Sequence, residues 1–518
     1  MIRKRCMATG RWPSGCVLFI SRRMKKCVII GSGLGGLSCG CILAKNGYEV
    51  TILEQGTQIG GCLQCFRRGD AVFETGMHYI GSADPGQTLN MIWHYLDIDS
   101  DIPLERLNPG GYDVVSFQGE HYKFANGKEN FIDTLAEQFP KSRDELAKYH
   151  DLIQTVVSSA AMHSLNSHVD INVNADYQIV SVNEVLDRTI SDPLLRQVLA
   201  GILPLYAGEK DRTPFFTHAL IFDFYNQSAF RIVGGSSLVA DALQKTLQKN
   251  GGRVLTRHKA VKIECDDSHA TAVITANGER FPADLVISAI HPASTTLLVD
   301  SHLFRPVYRR RVESARNTTS AFTVYLKFKK NTVKYLNNNL FFYRSDTTWG
   351  CEDYDERSWP KYLLYMHFCH EKNPVYAESG EILTYMRFDE MQQWVGTHIG
   401  HRGEDYEAFK RRKAETVIAA LEQEIPGISD QIEQYYTSTP LTYLDYTGVP
   451  DGAMYGIAKD VSEFGQVGIT SKTRIPNLLL TGQSITCHGM LGVLAGSLVT
   501  CSEVLTRDVI FSQIKKTE

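Results

Sequence analysis

Glycines that could carry phosphate chemistry follow a short apolar run near the start of the chain. They form the string Gly31-Ser32-Gly33-Leu34-Gly35-Gly36. In this spacing Gly31 permits a tight turn, Gly33 lets a pyrophosphate approach the backbone, and Gly36 lets a helix pack closely on a strand. Glu54 follows at the spacing of a carboxylate that accepts hydrogen bonds from ribose hydroxyls. The pattern predicts a dinucleotide site without separating NAD from FAD.

Three predicted elements hold this turn in place. Residues 27–30 form a continuous apolar run, which is typical of a buried parallel strand. Leu34, Leu37, Cys41 and Ala44 fall on one helical face, and residues 50–53 form the next strand. The resulting β-α-β unit directs the backbone amides and the positive dipole end of its helix at the phosphates.

Similar signals recur in two later parts of the chain. One group begins near residue 234 and includes a hairpin signal at Asn277-Gly278, and another lies near the C-terminal end. The stretches between these groups, about 95–230 and 300–465, are richer in aromatic residues and in helix-like periodicity. The predicted units are a disordered extension (1–23), a discontinuous dinucleotide-binding domain (24–95, 230–300 and 470–510), and a substrate-binding and helical domain (96–229 and 301–469).

Composition excludes several classes of protein. A chain of 518 residues exceeds one core, and its net charge of −4 argues against a nucleic-acid partner. It has no run of about 18 uninterrupted apolar residues, so a spanning helix is not expected. Twelve scattered cysteines, with a lone CxxC at Cys62 and Cys65, predict neither a disulfide scaffold nor a metal site. We therefore expect a reducing, cytoplasmic location, and no oligomeric state is predicted.

A Gly-Gly pair after Glu54 narrows the choice of dinucleotide. The string Glu54-Gln55-Gly56-Thr57-Gln58-Ile59-Gly60-Gly61 resembles that of the flavoprotein superfamily containing amine oxidases and phytoene desaturases. In that superfamily the Gly-Gly segment lies against the phosphate and ribityl region of FAD. The resemblance therefore implies FAD as the cofactor, with Gln55, Gly60 and Gly61 beside it.

A second glycine-rich segment is predicted to lie at the flavin. Residues 478–481 are typical of a strand that enters a tight turn, and a helix with glycines at three- and four-residue spacing follows. A helical face without side chains can lie close to a ring system or to another backbone. The positive N-terminus of the helix can stabilise negative charge near N1 of a reduced flavin. The candidate cofactor residues of the later segments are Gly482, Gln483 and Gly492, together with Val261 in the strand-like run 259–264.

Four longer strings carry a more specific resemblance. They are Glu74–Gly81, His218–Gly235, Pro440–Gly456 and Thr481–Gly496. All four resemble strings of the retinol saturases and carotenoid isomerases of the phytoene desaturase family, and the likeness runs over most of 24–506. The chain departs from the family pattern at Phe230-Arg231, where an aromatic-Pro-Arg pattern is more usual.

The resemblance implies both a fold and a chemistry. The fold is α/β: a Rossmann-like, two-dinucleotide-binding-domain flavoprotein, amine oxidase-like, with an inserted α+β substrate domain. The chemistry is saturation, desaturation or isomerisation of a conjugated apolar chain in a tunnel, with NAD(P)H as a candidate electron donor. Hydride transfer through flavin N5 needs a proton donor or acceptor at the other carbon. By their positions in the strings, the candidates are His78, Tyr79 and His488.

Other functions stay open at this point. A carotenoid isomerase would use reduced FAD with no net redox change, whereas an amine oxidase would need an amine cage that the sequence does not identify. A non-catalytic lipid-binding chaperone, similar to the GDP-dissociation inhibitors, would not need a working FAD site. The intact glycine turn, Glu54 and Gly482-Gln483 favour an enzyme over such a chaperone.

An apolar small-molecule substrate predicts peripheral contact with a membrane. Each CH2 group moved out of lipid into water costs about 0.8 kcal/mol, so such a substrate does not leave a bilayer freely. The apolar stretches 199–207 and 215–230 are the predicted rim of a tunnel mouth. The competing interpretation is that both stretches belong to the core.

Overall fold

A computed structural model describes residues 24–166, 169, 171–368, 371–463 and 469–516, so the extension predicted over 1–23 lies outside the described residues. The strands are β1 Lys26–Ile30, β2 Glu49–Leu53, β3 Cys65–Arg68, β4 Ala71–Glu74, β5 Ile80–Gly81, β6 Leu104–Arg106, β7 Asp113–Phe117, β8 Glu120–Phe124, β9 Ala229–Ile232, β10 Arg253–Leu255, β11 Ala260–Cys265, β12 Ala270–Thr275, β13 Arg280–Pro282, β14 Leu285–Ser288, β15 Ser320–Phe328, β16 Asn339–Tyr343, β17 Tyr362–Phe368, β18 Ser379–Met386, β19 Ile432–Ser438 and β20 Leu478–Leu480. The α-helices are α1 Leu34–Lys45, α2 Thr88–Tyr95, α3 Lys128–Ala136, α4 Arg143–Ser158, α5 Ala161–Ser164, α6 Ile171–Gln178, α7 Val182–Thr189, α8 Pro193–Ala200, α9 Phe215–Gln227, α10 Ser237–Lys249, α11 Pro292–Leu298, α12 Pro306–Glu313, α13 Glu404–Glu424, α14 Pro440–Thr447, α15 Gly489–Leu505 and α16 Arg507–Lys515.

Five parallel strands form the sheet that carries the glycine turn. They stand in the order β10-β2-β1-β14-β20. Their side chains are mostly buried, because helices α1, α10 and α15 cover one face of the sheet and residues of β11 and β12 pack on the other. These strands come from three distant parts of the chain and meet in one layer. The predicted Rossmann-like fold is confirmed.

The predicted hairpin at Asn277-Gly278 belongs to a smaller sheet beside the first. Strands β11, β12 and β13 pair antiparallel in that order. Gly278 has a φ of +83°, which suits the left-handed conformation of a tight hairpin turn.

A seven-stranded mixed sheet forms the inserted region. Its order is β19-β15-β18-β17-β16-β7-β8. In this sheet β16 and β7 pair in parallel, whereas the other neighbouring strands pair antiparallel. Apolar side chains of helices α3, α4 and α7–α9 pack on one face, and those of α13 pack on the other. The helix-like interpretation of 300–465 is therefore wrong over β15–β19. Because β15–β18 are buried on both faces, they lack the alternation that marks a half-buried strand.

The stretches predicted to rim a membrane-facing mouth lie in the core instead. Almost every side chain of α9 is buried, including Phe215 and Phe222, and most of 199–207 is buried as well. A helix that is buried on nearly all sides belongs to the core, and α9 also buries polar residues such as His218 and Asp223. No helix of the described chain is both long and apolar enough to cross a bilayer.

Candidate functional site

A cavity of about 510 Å³ opens at the carboxyl ends of the parallel strands. Its wall includes Ile30 and Leu53, which end β1 and β2, together with Ala289 after β14 and Thr481 after β20. Ligands of open α/β sheets bind at the carboxyl ends of the strands. The volume falls within the range of roughly 300–1,000 Å³ that is usual for cofactor pockets.

The glycine turn lies directly against this cavity. Gly31 has a φ of +95°, and its amide donates to the carbonyl of Leu53 at 2.8 Å, which fixes the turn on the neighbouring strand. A Cβ placed on Gly33 would meet no atom within 4 Å, so that position opens into the cavity. Helix α1 begins at Leu34 and has no side-chain cap at its N-terminus. Its first-turn amides lack partners within the helix, which suits them to binding a pyrophosphate.

The carboxylate of Glu54 organises the ribose side of the cavity. Its Oε2 accepts hydrogen bonds from the amide and hydroxyl of Ser32, at 3.0 and 2.6 Å, and its Oε1 accepts from the amide of Gly56 at 2.7 Å. A carboxylate offers about four acceptor positions. These three bonds hold the group rigidly and leave capacity for one ribose hydroxyl.

The Gly-Gly pair packs on the same turn. The amide of Gly60 donates to the carbonyl of Ser32 at 3.0 Å, and Gly60 forms an isolated parallel bridge with Gly33. A Cβ on Gly61 would lie 3.2 Å from the Cα of Gly33. The pair thus extends the glycine surface of the turn along the cavity.

The C-terminal segment supplies the adjacent part of the wall. Gly482 follows β20 with a φ of +104°, and the side-chain Nε2 of Gln483 donates to the carbonyl oxygen of Met454 at 3.3 Å. A Cβ on Gly35 would lie 3.2 Å from the Cα of Gly482, so the two glycine turns meet closely. Gly492 does not line the cavity, because it faces Cys487, where a Cβ would come within 2.8 Å.

The structure brings most of the predicted cofactor residues together. Those that line the cavity are Gly31, Gly33, Gly35, Glu54, Gln55, Gly60, Gly61, Gly482 and Gln483. Gly36 lies behind the turn, where a Cβ would come within 2.0 Å of the carbonyl oxygen of Gly31. The side chain of Val261 is 44% exposed on β11, whereas its neighbours Lys259 and Ala260 line the cavity. Since side chains of a strand alternate between its faces, a shift of one residue moves the cofactor-facing position to Ala260.

The three candidate catalytic residues occupy different environments. His78 lines the cavity, but Tyr79 is buried outside its wall and donates to Oδ2 of Asp113 at 2.9 Å. His488 packs on Tyr206 and Tyr455 and lines a separate cavity of about 10 Å³. Burial, followed by the charge of Lys459, lowers the pKa of His488 to about 3, so its ring is neutral near pH 7. Of these three candidates, only His78 lines the main cavity and can meet a ligand there.

Tyr79 belongs to a buried polar network beneath the cavity. Oδ1 of Asp113 accepts from Nδ2 of Asn339 at 2.7 Å, and Oδ1 of Asn339 accepts from the guanidinium of Arg231 at 2.7 Å. Arg231 also donates to the carbonyl oxygen of His78 at 3.2 Å. The network therefore holds the backbone that carries His78. Burial raises the pKa of Asp113 to about 7.

This raised pKa predicts a pH-dependent stability. The folded protein keeps the Asp113 proton up to about pH 7, whereas the unfolded chain releases it near pH 4, so the group's contribution to stability falls as pH rises between these values. Asp113→Asn removes this titration. Its free energy of unfolding minus that of wild type should therefore increase as pH rises over this window, by at most about 4 kcal/mol. Urea unfolding at both ends of the window measures the difference. Asp241→Asn, at an exposed position on α10, is the control. Its free energy of unfolding should differ from that of wild type by the same amount at both pH values. A constant difference for Asp113→Asn would contradict the assignment.

The inserted region closes one wall of the cavity. Leu383 comes from β18, Tyr443 from α14, and Met454 and Tyr455 from the segment after it. Burial raises the pKa of Tyr443 to about 12 and raises that of Tyr455 as well, so both hydroxyls stay neutral near pH 7. Sequence reasoning did not select these side chains as site residues, because strand pairing and helix docking bring them to the cavity from distant parts of the chain.

Comparison with known proteins identifies the family to which the chain belongs. The sequence model described as flavin containing amine oxidoreductase matches residues 34–409. The chain belongs to this family. It is 27% identical to the all-trans-retinol 13,14-reductase of Rattus norvegicus, over 93% of this chain and 86% of the relative. It is 24% identical to the 4,4'-diapolycopene oxygenase of Methylomonas sp, over 95% of this chain and 99% of the relative.

Solved structures with low sequence identity to the chain share its fold. Wild-type putrescine oxidase bound to putrescine superimposes with a TM-score of 0.63 at 16% identity, covering 94% of this chain and 99% of the oxidase. An oxidoreductase from Methanosarcina mazei gives a TM-score of 0.62 at 17% identity, covering 91% and 99% of the two chains. Family membership makes this protein an FAD-dependent oxidoreductase, as the glycine turn and the Gly-Gly pair predicted.

The residues of the cavity fit FAD. An uncapped helix N-terminus for the pyrophosphate, a rigid carboxylate with one free acceptor position for the ribose, and a strip of glycine backbone lie along one cavity. The pyrophosphate would be held at Gly33–Gly35 and the ribose at Glu54. The flavin would be held beside Gly482 and Gln483.

Proposed function

We propose that this flavoenzyme transfers hydride to or from a C=C bond of an apolar, polyene-like substrate, such as a retinoid, a carotenoid or a related lipid. The observation that carries the proposal is the composition of the cavity. The glycine turn shares the cavity with a wall of Leu383, Tyr443, Met454 and Tyr455, beside which His78 is the candidate for proton transfer. The names of the relatives, a retinol 13,14-reductase and a diapolycopene oxygenase, support the same substrate class.

Each part of the wall has a separate task in this reaction. When bound, FAD supplies or accepts a hydride at N5. The apolar side chains of Leu383 and Met454 exclude water and align the conjugated chain. The neutral hydroxyls of Tyr443 and Tyr455 can donate hydrogen bonds without adding charge. His78 exchanges the proton at the carbon that does not receive the hydride.

The proposal extends to the supply of electrons and substrate. For net reduction we propose NAD(P)H as the external two-electron donor. We also propose that the substrate arrives from a membrane that the protein contacts peripherally, because long apolar chains leave lipid at a cost of about 0.8 kcal/mol per CH2. Leu297 and Tyr446 support this route, since both line the cavity yet are 77% and 59% exposed.

An anaerobic titration tests the function. The FAD of the purified holoenzyme is reduced, and retinoids, carotenoids and other unsaturated lipids in liposomes are added in turn. At least one polyene should restore the absorbance of oxidised flavin in proportion to the product formed, whereas free reduced FAD with the same liposomes is the control. Reoxidation by no polyene would contradict the proposal. Polyene isomerisation at constant flavin reduction would favour the redox-neutral alternative.

A second anaerobic experiment tests whether the enzyme oxidises amines instead of polyenes. Oxidised enzyme mixed anaerobically with primary amines should keep its flavin absorbance, because Glu54, at the ribose, is the only Asp or Glu lining the described cavity. Bleaching by an amine would overturn the substrate class while leaving the FAD assignment intact.

A further inference from the structure

A fully buried carboxylate lies directly behind His78. Glu381 sits in the middle of β18 with an exposed fraction of 0%, and its Oε1 accepts from the backbone amide of Glu74 at 2.8 Å. Its Oε2 lies 3.1 Å from Nδ1 of His78. This contact is within ion-pair distance, although its angle falls short of a hydrogen bond. Neither atom has another hydrogen-bond partner among the described residues.

The other groups around Glu381 do not neutralise it. Burial, and then the charge of Glu381 itself, raise the pKa of Glu74, whose carboxyl group accepts hydrogen bonds from Ser236. Burial also raises the pKa values of Tyr325 and Tyr443, which interact electrostatically with Glu381, so both hydroxyls remain uncharged near pH 7.

Two further groups complete the surroundings. Burial raises the pKa of Cys65, beside Glu74, to about 12, so this thiol stays neutral near pH 7. The guanidinium of Arg231 donates to the carbonyl oxygen of His78 and to Oδ1 of Asn339, while its buried Nε has no hydrogen-bond partner among the described residues. Within that part of the chain it forms no ion pair with Glu381. A buried carboxylate without a partner is strongly unfavourable. The imidazole of His78 is therefore the group in a position to satisfy Oε2 of Glu381.

We infer that Glu381 is a positioning residue that keeps a hydrogen on Nδ1 of His78 and thereby presents Nε2 to the substrate. The ring of His78 lines the cavity while its Nδ1 is buried, which leaves Nε2 as the nitrogen available to a ligand. A carboxylate on one imidazole nitrogen fixes the tautomer and the orientation of the ring. This inference rests on the proposed function for its chemistry, but the pairing itself does not depend on the substrate.

The reaction in which His78 acts adds one hydride and one proton to the double bond of the substrate. A hydride from the reduced flavin forms a C–H bond at one carbon of the double bond, and the π electron pair takes a proton from Nε2–H of His78 at the other carbon. The substrate gains two hydrogens, the flavin is oxidised by two electrons, and His78 is left neutral with its hydrogen on Nδ1 facing Glu381. The ring regains its proton from solvent, and the external donor reduces the flavin again.

Nitrogen NMR of histidine-labelled holoenzyme tests the pairing directly. The His78 resonances, assigned by their loss in His78→Gln, should report a hydrogen on Nδ1 in the wild type at a pH where the ring is neutral. Glu381→Gln keeps an acceptor for the amide of Glu74 but removes the charge, and the His78 signals should then report mixed tautomers. Glu378→Gln, an exposed position just before the same strand, is the matched control and should match wild type. Unchanged His78 signals in Glu381→Gln would overturn the inference.

Kinetics then separate a positioning role from a structural one. In Glu381→Gln, kcat for polyene reduction should fall about 10- to 100-fold, with KM and FAD content within about twofold of wild type. Glu381→Asp, which keeps the charge but withdraws it from the ring, should show a similar fall in kcat. If a polyene reoxidises wild type and Glu381→Gln at the same rate, the inference fails and the proposed function stands. If no polyene reacts, the proposed function fails, and the NMR result alone decides the pairing. If Glu381→Gln does not fold, Glu381→Asp carries both measurements.

Discussion

Gly33→Val is expected to give a folded protein without bound flavin. A Cβ at this position meets no atom within 4 Å, and the backbone φ of −65° is ordinary for any residue, so the apoprotein accommodates valine without strain. The added methyl groups enter the cavity at the N-terminus of α1, where the pyrophosphate of FAD needs close approach to the backbone. Flavin absorbance per mole of purified protein should fall to background, while the melting temperature of the apoprotein stays close to that of wild-type apoprotein.

Gly33→Ala provides a graded control for this result. Its single methyl group occupies less of the phosphate space, so FAD content should lie between those of wild type and the valine variant. Full FAD content in the valine variant would place the pyrophosphate somewhere other than this turn. Loss of folding in either variant would show that the open space is needed by the protein and not by the cofactor.

Gly36→Ala, three residues further along the same motif, is expected to destabilise the folded protein itself. The added methyl group clashes with the protein and not with the cofactor. A Cβ on Gly36 would lie 2.0 Å from the carbonyl oxygen of Gly31 and 3.2 Å from the Cβ of Ala289. Both neighbours are held by the parallel sheet, so helix α1 would have to move off the strands. We expect the free energy of unfolding of the apoprotein to fall by about 3 kcal/mol or more, because overpacking against backbone is poorly relieved.

Urea unfolding of the two apoproteins distinguishes these cases. Gly36→Ala should shift the midpoint strongly to lower urea, whereas Gly33→Ala should shift it little, although both changes add one methyl group to the same turn. An unshifted midpoint for Gly36→Ala would mean that α1 has room to move, and the close packing of helix and strand would then not be what requires glycine there.

Local patterns predicted the cofactor half of the site because its contacts are local. Gly31, Gly33 and Glu54 lie within one β-α-β unit, so their spacing alone determines where they meet. His78 and Tyr79 show the limit of this reasoning, since neighbouring residues of one string face the cavity and the core respectively. Sequence position selected both, and only the packing of the inserted sheet separates them.

Glu381 could not be assigned a role without the three-dimensional pairing. Its contact with the amide of Glu74 joins residues 307 positions apart, and that with His78 is comparably long-range. The available signal was a single acid inside the apolar strand β18, where an unpaired charge would be costly. Such a residue predicts a buried partner but does not name it. The aromatic-rich stretch of α9 was ambiguous in the same way, because such residues fit both a helical core and a lined tunnel.

The order of the parallel sheet also sets when a nascent chain can first hold its cofactor. Strand β1 ends at Ile30 and β20 begins at Leu478, so 447 residues must be synthesised between the two. At about 5–20 residues per second, this takes a ribosome roughly 20–90 s. During that interval the glycine turn of α1 is already made, but the wall formed by Gly482 and Gln483 is not. The complete flavin site therefore forms only late in synthesis. Until then the growing chain is an incomplete apoprotein in which β14 is an unpaired edge strand, because β20 has not yet been made.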